Sequence, residues 1–237
     1  MSRYLCHEDP HVREFSTHIV AAEPHRVLLA RSYFYPGGGG QLADRGRIQV
    51  DGGTFAVTGI EEVDGRWWHL HDGPATLGGD ARLTIDDDFR TDMAQLHTAL
   101  HLVNACVYQA FEGALVTGVQ MGTDRTARID FDLPGTDNDR IRALEPEINA
   151  AIAANLGVST TYVTHDEALR EPGLLRSRSV APPPQPDGTI RVVVIEGLDR
   201  QACGGTHVVS TGSIPPVRIQ KIDNKGRHNR RLRIGLA

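Results

Sequence analysis

The sequence has no long apolar run, few cysteines and few aromatic residues. None of its hydrophobic stretches approaches the roughly 20 residues that a membrane-spanning helix requires, and Met1–Phe15 lacks the apolar core of a signal peptide. Three cysteines among 237 residues give no disulfide framework, so we expect a reduced, cytoplasmic protein with no membrane partner. Aromatic residues make up 5%, and no aromatic-rich platform for stacking RNA bases is evident.

Acidic residues outnumber basic ones and give a formal net charge of −5 at pH 7. This charge argues against bulk electrostatic binding to nucleic acid, although it is compatible with a local basic patch. The hydrophobic content of 40% and the charged content of 23% are ordinary for globular proteins and exclude the disordered and fibrous classes. The length fits one large domain or two small ones.

Short alternating stretches broken by glycine characterise the first 85 residues. Period-2 patterning with β-branched residues between Gly, Asp and Pro predicts strands joined by turns. Six such strands in so short a segment predict a small β-barrel or sandwich. His69 and His71 share one face of a predicted strand, and we expect an exposed or barrel-face pair rather than metal ligands. The six stretches begin at Thr17, Arg26, Gly46, Thr54, Trp67 and Ala81.

The pattern changes to helical spacing after the barrel-like region. Asp86–Asp88 provides an N-cap and an acidic first turn, and apolar residues then recur every three or four positions as far as Phe111. A second helical stretch begins near Thr136 and continues to Leu156, and Pro146 should kink or divide it. We expect further strands at 126–132, 158–164, 190–196, 216–222 and 230–236.

Together these elements predict an α+β fold with two domains. The N-terminal domain, residues 1–87, would be a small β-barrel. The C-terminal domain, residues 88–237, would be an α+β domain in which two main helices pack on a mostly antiparallel sheet.

Two separated pairs of candidate metal ligands stand out in the second domain. His97 and His101 are four residues apart on the first predicted helix, so they share one face with Cβ atoms about 5–6 Å apart. Cys203 and His207 flank a Gly-Gly-Thr segment that can turn tightly enough for both side chains to converge on one point. Three imidazoles and one thiolate form a tetrahedral set of the type that zinc takes.

The zinc could serve a structural or a functional role. Four protein ligands normally define a closed structural site, whereas a reduced domain of this size does not need a metal staple. We favour a functional metal, with Cys203 or His207 as the ligand that loosens to open a coordination position. Glu196, just before the Cys-Gly-Gly turn, could act as a general base but is more readily explained as a structural residue.

With an upstream run from Gly37 to Gly40 followed by Gln41, these motifs resemble those of the alanyl-tRNA editing proteins. Those proteins are free-standing relatives of the editing domain of alanyl-tRNA synthetase, and the threonyl-tRNA synthetase editing domain is more distantly related. The order and spacing of the motifs agree over nearly the whole chain. The resemblance implies a zinc-dependent hydrolase that acts in trans on the ester between serine, and sometimes glycine, and the terminal adenosine of a tRNA for alanine.

The resemblance also implies roles for individual residues. The catalytic residues would be His97, His101 and Gln120, and Gln120 would line the site. The resemblance assigns the glycine-rich motif to the β-barrel, beside the catalytic cleft. The zinc ligands would be His97, His101, Cys203 and His207. The candidates for binding the substrate are Gly37, Gly38, Gly39, Gly40, Gln41, Thr98, Gln120 and Thr206. The four polar residues among them are the candidates for recognising its hydroxyl group.

A basic stripe near the C-terminus is the candidate tRNA contact. Between positions 218 and 233, seven lysines and arginines stand against one acid, Asp223. Such a stripe can engage phosphates and give salt-dependent binding, although a solvated strand face would have the same composition. No obligate protein partner is evident. The predicted contacts to the acceptor end of aminoacylated tRNA are Lys221, Lys225, Arg227, Arg230, Arg231 and Arg233.

Three other functions fit the same sequence. The protein could deacylate a tRNA that carries threonine or a non-standard analogue of threonine or serine. It could be an RNA-binding module with structural zinc, or a metallohydrolase for a small ester. Loss of hydrolysis on metal removal would favour an enzyme over an RNA-binding module. The sequence does not specify the amino acid, the tRNA or the oligomeric state.

Overall fold

The computed structural model of the chain describes residues 4–177, 182 and 184–237. The chain forms two compact units. Of these residues, the barrel unit contains 4–38 and 42–91, and the C-terminal unit contains 39–41, 92–177, 182 and 184–237. Gln41 therefore belongs to the C-terminal unit, although the residues on either side of Gly39–Gln41 belong to the barrel unit.

The barrel unit contains a short helix and six strands. The helix α1 is Leu5–Glu8. The strands are β1 (Glu14–Glu23), β2 (Arg26–Leu29), β3 (Gly46–Val50), β4 (Gly53–Val63), β5 (Arg66–His71) and β6 (Asp80–Ile85). They close into an antiparallel barrel in the order β1-β2-β5-β4-β3-β6. The six predicted strands are confirmed, and the fold is the barrel rather than the sandwich.

Alternating side chains fill the barrel, as the period-2 pattern predicts. In β6, Ala81, Leu83 and Ile85 are buried, whereas the residues between them are exposed or half-buried. They pack in one apolar cluster with side chains from other strands, among them Ile48 and Val57. This continuous interior is the core of the unit.

A buried ion pair fixes the chain on either side of the glycine run. Arg90 donates from Nε to Asp44 Oδ1 at 2.8 Å and from Nη2 to the carbonyl oxygen of Tyr33 at 2.9 Å. The backbone N–H of Tyr35 also donates to the Asp44 carboxylate. Since both charges are buried and paired, the contacts hold Tyr33–Tyr35 and Asp44 in place and leave the glycines between them as the connecting segment.

His69 and His71 on β5 are buried, so of the two predicted alternatives, an exposed pair or a barrel-face pair, the exposed pair is wrong. Strict alternation along a strand would bury only one of two adjacent residues, but Trp68 and His69 are both buried. The sequence pattern therefore did not reveal the burial of this strand. Nε2 of His69 and the hydroxyl of Ser32 share a hydrogen bond of 2.8 Å. Burial lowers the pKa of His69 to about 4, so the ring is neutral at pH 7.

We expect His69 to make the barrel acid-sensitive. Its pKa is lower in the folded protein than the 6.5 of an ordinary histidine, so the unfolded chain binds more protons between these values. Stability should therefore fall as the pH drops from 6.5 to 4, by up to about 3 kcal/mol from this residue. Urea unfolding at pH 7, 5.5 and 4.5 should show a shallower pH dependence for His69→Gln than for the wild type. Equal dependence would refute this assignment.

The long helix of the protein is α2, Asp87–Ala110, close to the predicted helix. Asp87 and Asp88 lie in its first turn, where negative charge complements the helix dipole. The predicted apolar stripe is buried from Leu96 to Val107, whereas Phe111 is half-buried and lies beyond the end of the helix. The helix therefore presents a fixed inner face, from which His97 and His101 also project.

The C-terminal unit contains two antiparallel sheets instead of the single sheet that was predicted. The four-stranded sheet comprises β7 (Val116–Met121), β8 (Thr126–Asp132), β12 (Val217–Lys225) and β13 (Asn229–Leu236), in the order β12-β13-β8-β7. The three-stranded sheet comprises β9 (Val158–Val163), β10 (Ile190–Ile195) and β11 (Asp199–Ala202), in the order β11-β10-β9. All five predicted strands are present, and β7 and β11 are additional.

Pro146 divides the second helical stretch, as expected. The chain forms α3 (Asn138–Arg142) and α4 (Glu145–Ala153), with the proline in the first turn of α4. The stretch ends before the predicted Leu156 because Asn155 adopts a left-handed φ of 53°.

Two further short helical segments lie within the described residues, the helix α5 (His165–Arg170) and a 3₁₀ turn at Thr211–Ser213. No helix in the described part of the chain is long and apolar enough to span a membrane.

Candidate metal centre

Helix α2 and one turn supply the four members of the predicted metal cluster. His97 and His101 lie one helical turn apart on α2, and both are buried. Cys203 follows β11 directly, and His207 comes four residues later. Arg191 on β10 holds this turn, because its Nη1 donates to the carbonyl oxygens of Cys203 at 2.9 Å and Gly205 at 3.0 Å.

The four side chains meet at one point. One ligand atom from each lies within 4.8 Å of the others. Sγ of Cys203 is 3.3 Å from Nε2 of His97 and 3.3 Å from Nε2 of His207. The ring of His101 lies 5.4 Å from that of His97 and 4.7 Å from that of His207, between centroids. Within the described ranges, this is the one group of His, Cys, Asp and Glu with the geometry to hold a metal ion.

The protonation states of the cluster suit metal binding. Burial, with added repulsion from neighbouring positive charges, lowers the pKa of His101 to about 3 and that of His97 well below its usual value. Both imidazoles are therefore neutral at pH 7, which is the form that coordinates a metal. Burial raises the pKa of the Cys203 thiol, while the N–H of Gly205 and the charge of Arg191 act in the opposite direction. A divalent cation would favour the thiolate. The donor set thus fits zinc.

A close approach at Gly205 makes the cluster possible. A Cβ at this position would lie 2.1 Å from Cε1 and 2.2 Å from Nδ1 of His97, and 2.8 Å from Oε1 of Gln41. No side chain could occupy that space without displacing the His97 ring. Packing against the ring of His97 therefore requires glycine at position 205.

The end of the glycine run reaches the same cluster. Gly40 lies against β7, where a Cβ would be 2.6 Å from the carbonyl oxygen of Val119, and its own carbonyl oxygen accepts a hydrogen bond from the N–H of Met121 at 2.9 Å. The next residue, Gln41, is buried and contacts His97 and Thr206. Three predicted substrate-binding residues, Gln41, Thr98 and Thr206, thus lie beside the metal ligands.

Gln120 lies apart from this hydrogen-bonded group. It is exposed on β7 and paired with Arg128 of β8 across the sheet. The N–H of its chain neighbour, Met121, donates to the carbonyl oxygen of Gly40, which directly precedes Gln41 in the chain. Its role as a catalytic or substrate-binding residue remains a prediction.

The predicted tRNA contacts divide into exposed and engaged residues. Lys221 and Arg233 are exposed and form surface ion pairs with Asp223, at 2.7 Å and 3.8 Å, while Lys225 and Arg227 are exposed next to and in the turn between β12 and β13. Two other residues are occupied within the protein: Arg230 is buried and donates to the carbonyl oxygen of Thr136, and Arg231 makes a two-bond ion pair with Asp130.

Sequence reasoning missed two arginines. Arg191 lies in the otherwise apolar strand β10. A cation within a predicted buried strand was the signal that could have revealed it. Arg128 joins a row of polar side chains across the four-stranded sheet, because Lys221 pairs with Arg233, Arg233 with Arg128, and Arg128 with Gln120. The alternation of β8 could have revealed it, since Ile129 and Phe131 are buried between the charged residues.

Two family models match the chain. The threonyl and alanyl tRNA synthetase second additional domain matches residues 190–233, which include Cys203 and His207. The class II (A) tRNA synthetases match residues 8–88, which span the strands of the barrel. With the α+β fold and the four-residue cluster, these matches define the class of the protein: it is related to the alanyl- and threonyl-tRNA synthetases through their additional domain.

Individual relatives narrow this class. The chain is 36% identical over 243 residues to the alanyl-tRNA editing protein AlaX-M of Methanosarcina acetivorans, with 98% of each chain covered. It is 33% identical over 236 residues to AlaX-M of Saccharolobus solfataricus, again with 98% of each covered. An alanine–tRNA ligase of Korarchaeum cryptofilum is 32% identical over 222 residues, which are 92% of this chain and 24% of the ligase. The chain belongs to the alanyl-tRNA editing protein family.

Proposed function

We propose that this protein is a trans-acting, zinc-dependent deacylase that hydrolyses the ester between serine and a tRNA specific for alanine, with glycine as a second misattached amino acid. The observation that carries this proposal is the cluster of His97, His101, Cys203 and His207, of which the first three are buried and His207 is half-buried, and whose ligand atoms lie within 4.8 Å of one another. The names of the AlaX-M relatives, which cover nearly the whole chain, support aminoacylated tRNA as the substrate class.

The residues of the chain supply binding, charge and exclusion of water. The four ligands would hold zinc, which when bound supplies Lewis-acid activation of the ester carbonyl and of the attacking water. The burial of His97 and His101 keeps bulk water from the cluster. Arg191 hydrogen-bonds to neutral carbonyl oxygens, so no carboxylate cancels its positive charge at these contacts. That charge favours the negative charge that develops on the ester oxygen during hydrolysis.

Selection of serine over alanine requires a group that rewards the extra hydroxyl. We propose Gln120 for this role. Its amide is exposed and, among the described residues, makes no side-chain hydrogen bond, so it is available to a ligand. Gln41, Thr98 and Thr206 have hydrogen-bond partners within the protein.

We place the tRNA contact on the exposed cations around the turn between β12 and β13. Lys225 and Arg227 are exposed there, and Lys221 and Arg233 begin the row that continues to Arg128. A few phosphate contacts on a chain of net charge −5 would give weak, transient binding, which suits a proofreading enzyme that samples many tRNAs. Arg230 and Arg231 are left out because Arg230 is buried, Arg231 is half-buried, and both guanidinium groups bond to partners within the protein.

Replacing both Lys225 and Arg227 with alanine should weaken tRNA binding through charge alone. Removal of two phosphate contacts should flatten the slope of log K against log salt by about 1–2. It should raise KM and leave kcat unchanged, because these contacts act equally in the ground and transition states. The measurement is steady-state deacylation at several salt concentrations. Arg170→Ala, an exposed arginine on α5, is the control. An unaltered slope would place the tRNA elsewhere.

A panel of mischarged tRNAs tests the proposed substrate. We expect turnover of seryl- and glycyl-tRNA(Ala), and little hydrolysis of correctly charged alanyl-tRNA(Ala). Preferential turnover of threonyl-tRNA or of an analogue would change the amino acid but not the chemistry. Turnover of a tRNA-free ester at the same rate would indicate a general metallohydrolase.

A second candidate function is RNA binding with structural zinc. It is favoured by the four protein ligands, since a closed set of four is typical of structural sites. The same panel distinguishes it: this candidate predicts tRNA binding that depends on the metal, with no turnover of any member.

A further inference from the structure

The hydrogen bonds around Gln41 determine the tautomer of His97. The backbone N–H of Thr206 can only donate, and it donates at 3.0 Å to Oε1 of Gln41, which must therefore be the oxygen of the amide. Nδ1 of His97 lies 2.8 Å from the same oxygen. Since Oε1 can only accept, Nδ1 carries the proton and donates it. Nε2 of His97 is then unprotonated, and it lies 3.3 Å from Sγ of Cys203.

Thr98 determines the tautomer of His207 by the same logic. The Thr98 hydroxyl has a single proton, which it donates to the carbonyl oxygen of Ala94 at 2.8 Å. Nδ1 of His207 lies 3.1 Å from this hydroxyl and must donate to it. Nε2 of His207 is therefore also unprotonated, and it too is 3.3 Å from Sγ of Cys203. Two nitrogen lone pairs thus converge on one sulfur, whose single proton can satisfy only one of them.

We infer that Gln41 and Thr98 are positioning residues, which hold His97 and His207 in the tautomer and orientation that present both Nε2 atoms to one metal ion. This inference rests on the metal-dependent function proposed above. It also assigns a role to the glycine run, which leads to Gln41. The side-chain amide of Gln41 links His97 on α2 to Thr206, in the turn that carries Cys203 and His207. Partners of this kind commonly alter metal affinity 10–100-fold.

The hydrogen bonds of Gln41 and Thr98 favour positioning of the metal ligands over recognition of the substrate hydroxyl. Oε1 of Gln41 accepts two hydrogen bonds, and its Nε2 donates to Oγ1 of Thr206 at 2.8 Å. The Thr98 hydroxyl donates once and also accepts from the N–H of Val208 at 3.3 Å. Both groups therefore spend their acceptor capacity on the protein. Substitutions should change metal affinity before they change the choice of amino acid.

The test measures zinc affinity by competition with a chromophoric chelator, and the absorption spectrum of the Co²⁺-loaded protein. Gln41→Leu and Thr98→Val remove the acceptors with little change of shape, and each should weaken zinc binding about 10–100-fold and alter the Co²⁺ spectrum. Gln41→Glu and Thr98→Ser keep an acceptor for the Nδ1 proton, and both should retain wild-type affinity within a few-fold. Thermal unfolding of each metal-free variant checks the fold.

Each result has a distinct consequence. Failure of the wild type to bind zinc would reject the proposed metal-dependent function itself. Wild-type affinity and spectrum in both Gln41→Leu and Thr98→Val would overturn the positioning roles and leave that function intact. A changed preference between seryl- and alanyl-tRNA with unchanged zinc affinity would also overturn them, in favour of substrate recognition. If Gln41→Leu does not fold, the comparison of Thr98→Val with Thr98→Ser decides the matter.

Discussion

Replacing both His97 and His101 with alanine is expected to remove bound zinc and to reduce deacylation of seryl-tRNA(Ala) to the uncatalysed rate. The two imidazoles are half of the four-residue cluster, and both are buried on α2. Without them, Cys203 and His207 alone cannot hold zinc in a protein site that normally has three or four ligands. Zinc content per chain and single-turnover hydrolysis are the measurements. The wild type should contain about one zinc per chain.

The control for this double variant is His165→Ala. His165 is an exposed histidine at the start of α5, outside the cluster. Its replacement should leave zinc content and turnover at wild-type levels. Full turnover by the double variant with no bound metal would reject the metal site as the source of activity.

Gly205→Ala is expected to have an effect almost as large, although the residue has no functional group. The new Cβ would lie 2.1 Å from Cε1 of His97, so the ring or the turn must move. Such overpacking costs on the order of 1–3 kcal/mol of folding stability. It also moves a ligand from its place, so we expect zinc affinity to fall by at least about 10-fold and hydrolysis to fall with it. Chelator competition and thermal unfolding are the measurements.

The neighbouring glycine offers a matched control. Among the residues that the structure describes, a Cβ at Gly204 would meet only Cβ of Pro182, at an ordinary contact distance of 3.9 Å. Gly204→Ala should therefore keep zinc affinity and turnover close to those of the wild type. Equal behaviour of the two variants would mean that the turn tolerates a side chain beside His97, contrary to its geometry here.

The elements that the sequence predicted are those whose burial is periodic. The barrel strands and α2 have one regular buried face, and their patterns follow from it. The strand β7 was missed because Thr117–Val119 is half-buried without alternation. The strand β11 was missed because its four residues are mostly polar, and only Gln201 among them is buried. The division into two sheets depends on which strands pair, and side-chain pattern does not encode pairing across the chain.

The candidate site was predictable where chemistry has a fixed spacing. His97 and His101 follow from the helical repeat, and Cys203 and His207 from a tight glycine turn. The positioning contacts were not predictable, because Gln41 and Thr206 are 165 residues apart, and hydrogen bonding between distant residues follows from the tertiary fold. The contacts of Arg230 and Arg231 within the protein were unexpected for a similar reason: composition counts their charges but does not reveal the Thr136 carbonyl or Asp130 as their partners.

The most direct test of the central claim is metal-dependent hydrolysis by a single preparation of the protein. Zinc is removed with a chelator, the chelator is exchanged away, and seryl-tRNA(Ala) hydrolysis is measured as zinc is returned in steps. We expect no turnover without metal, and recovery that saturates at about one equivalent of zinc per chain. Turnover by the metal-free protein at the rate of the zinc-loaded protein would contradict the central claim.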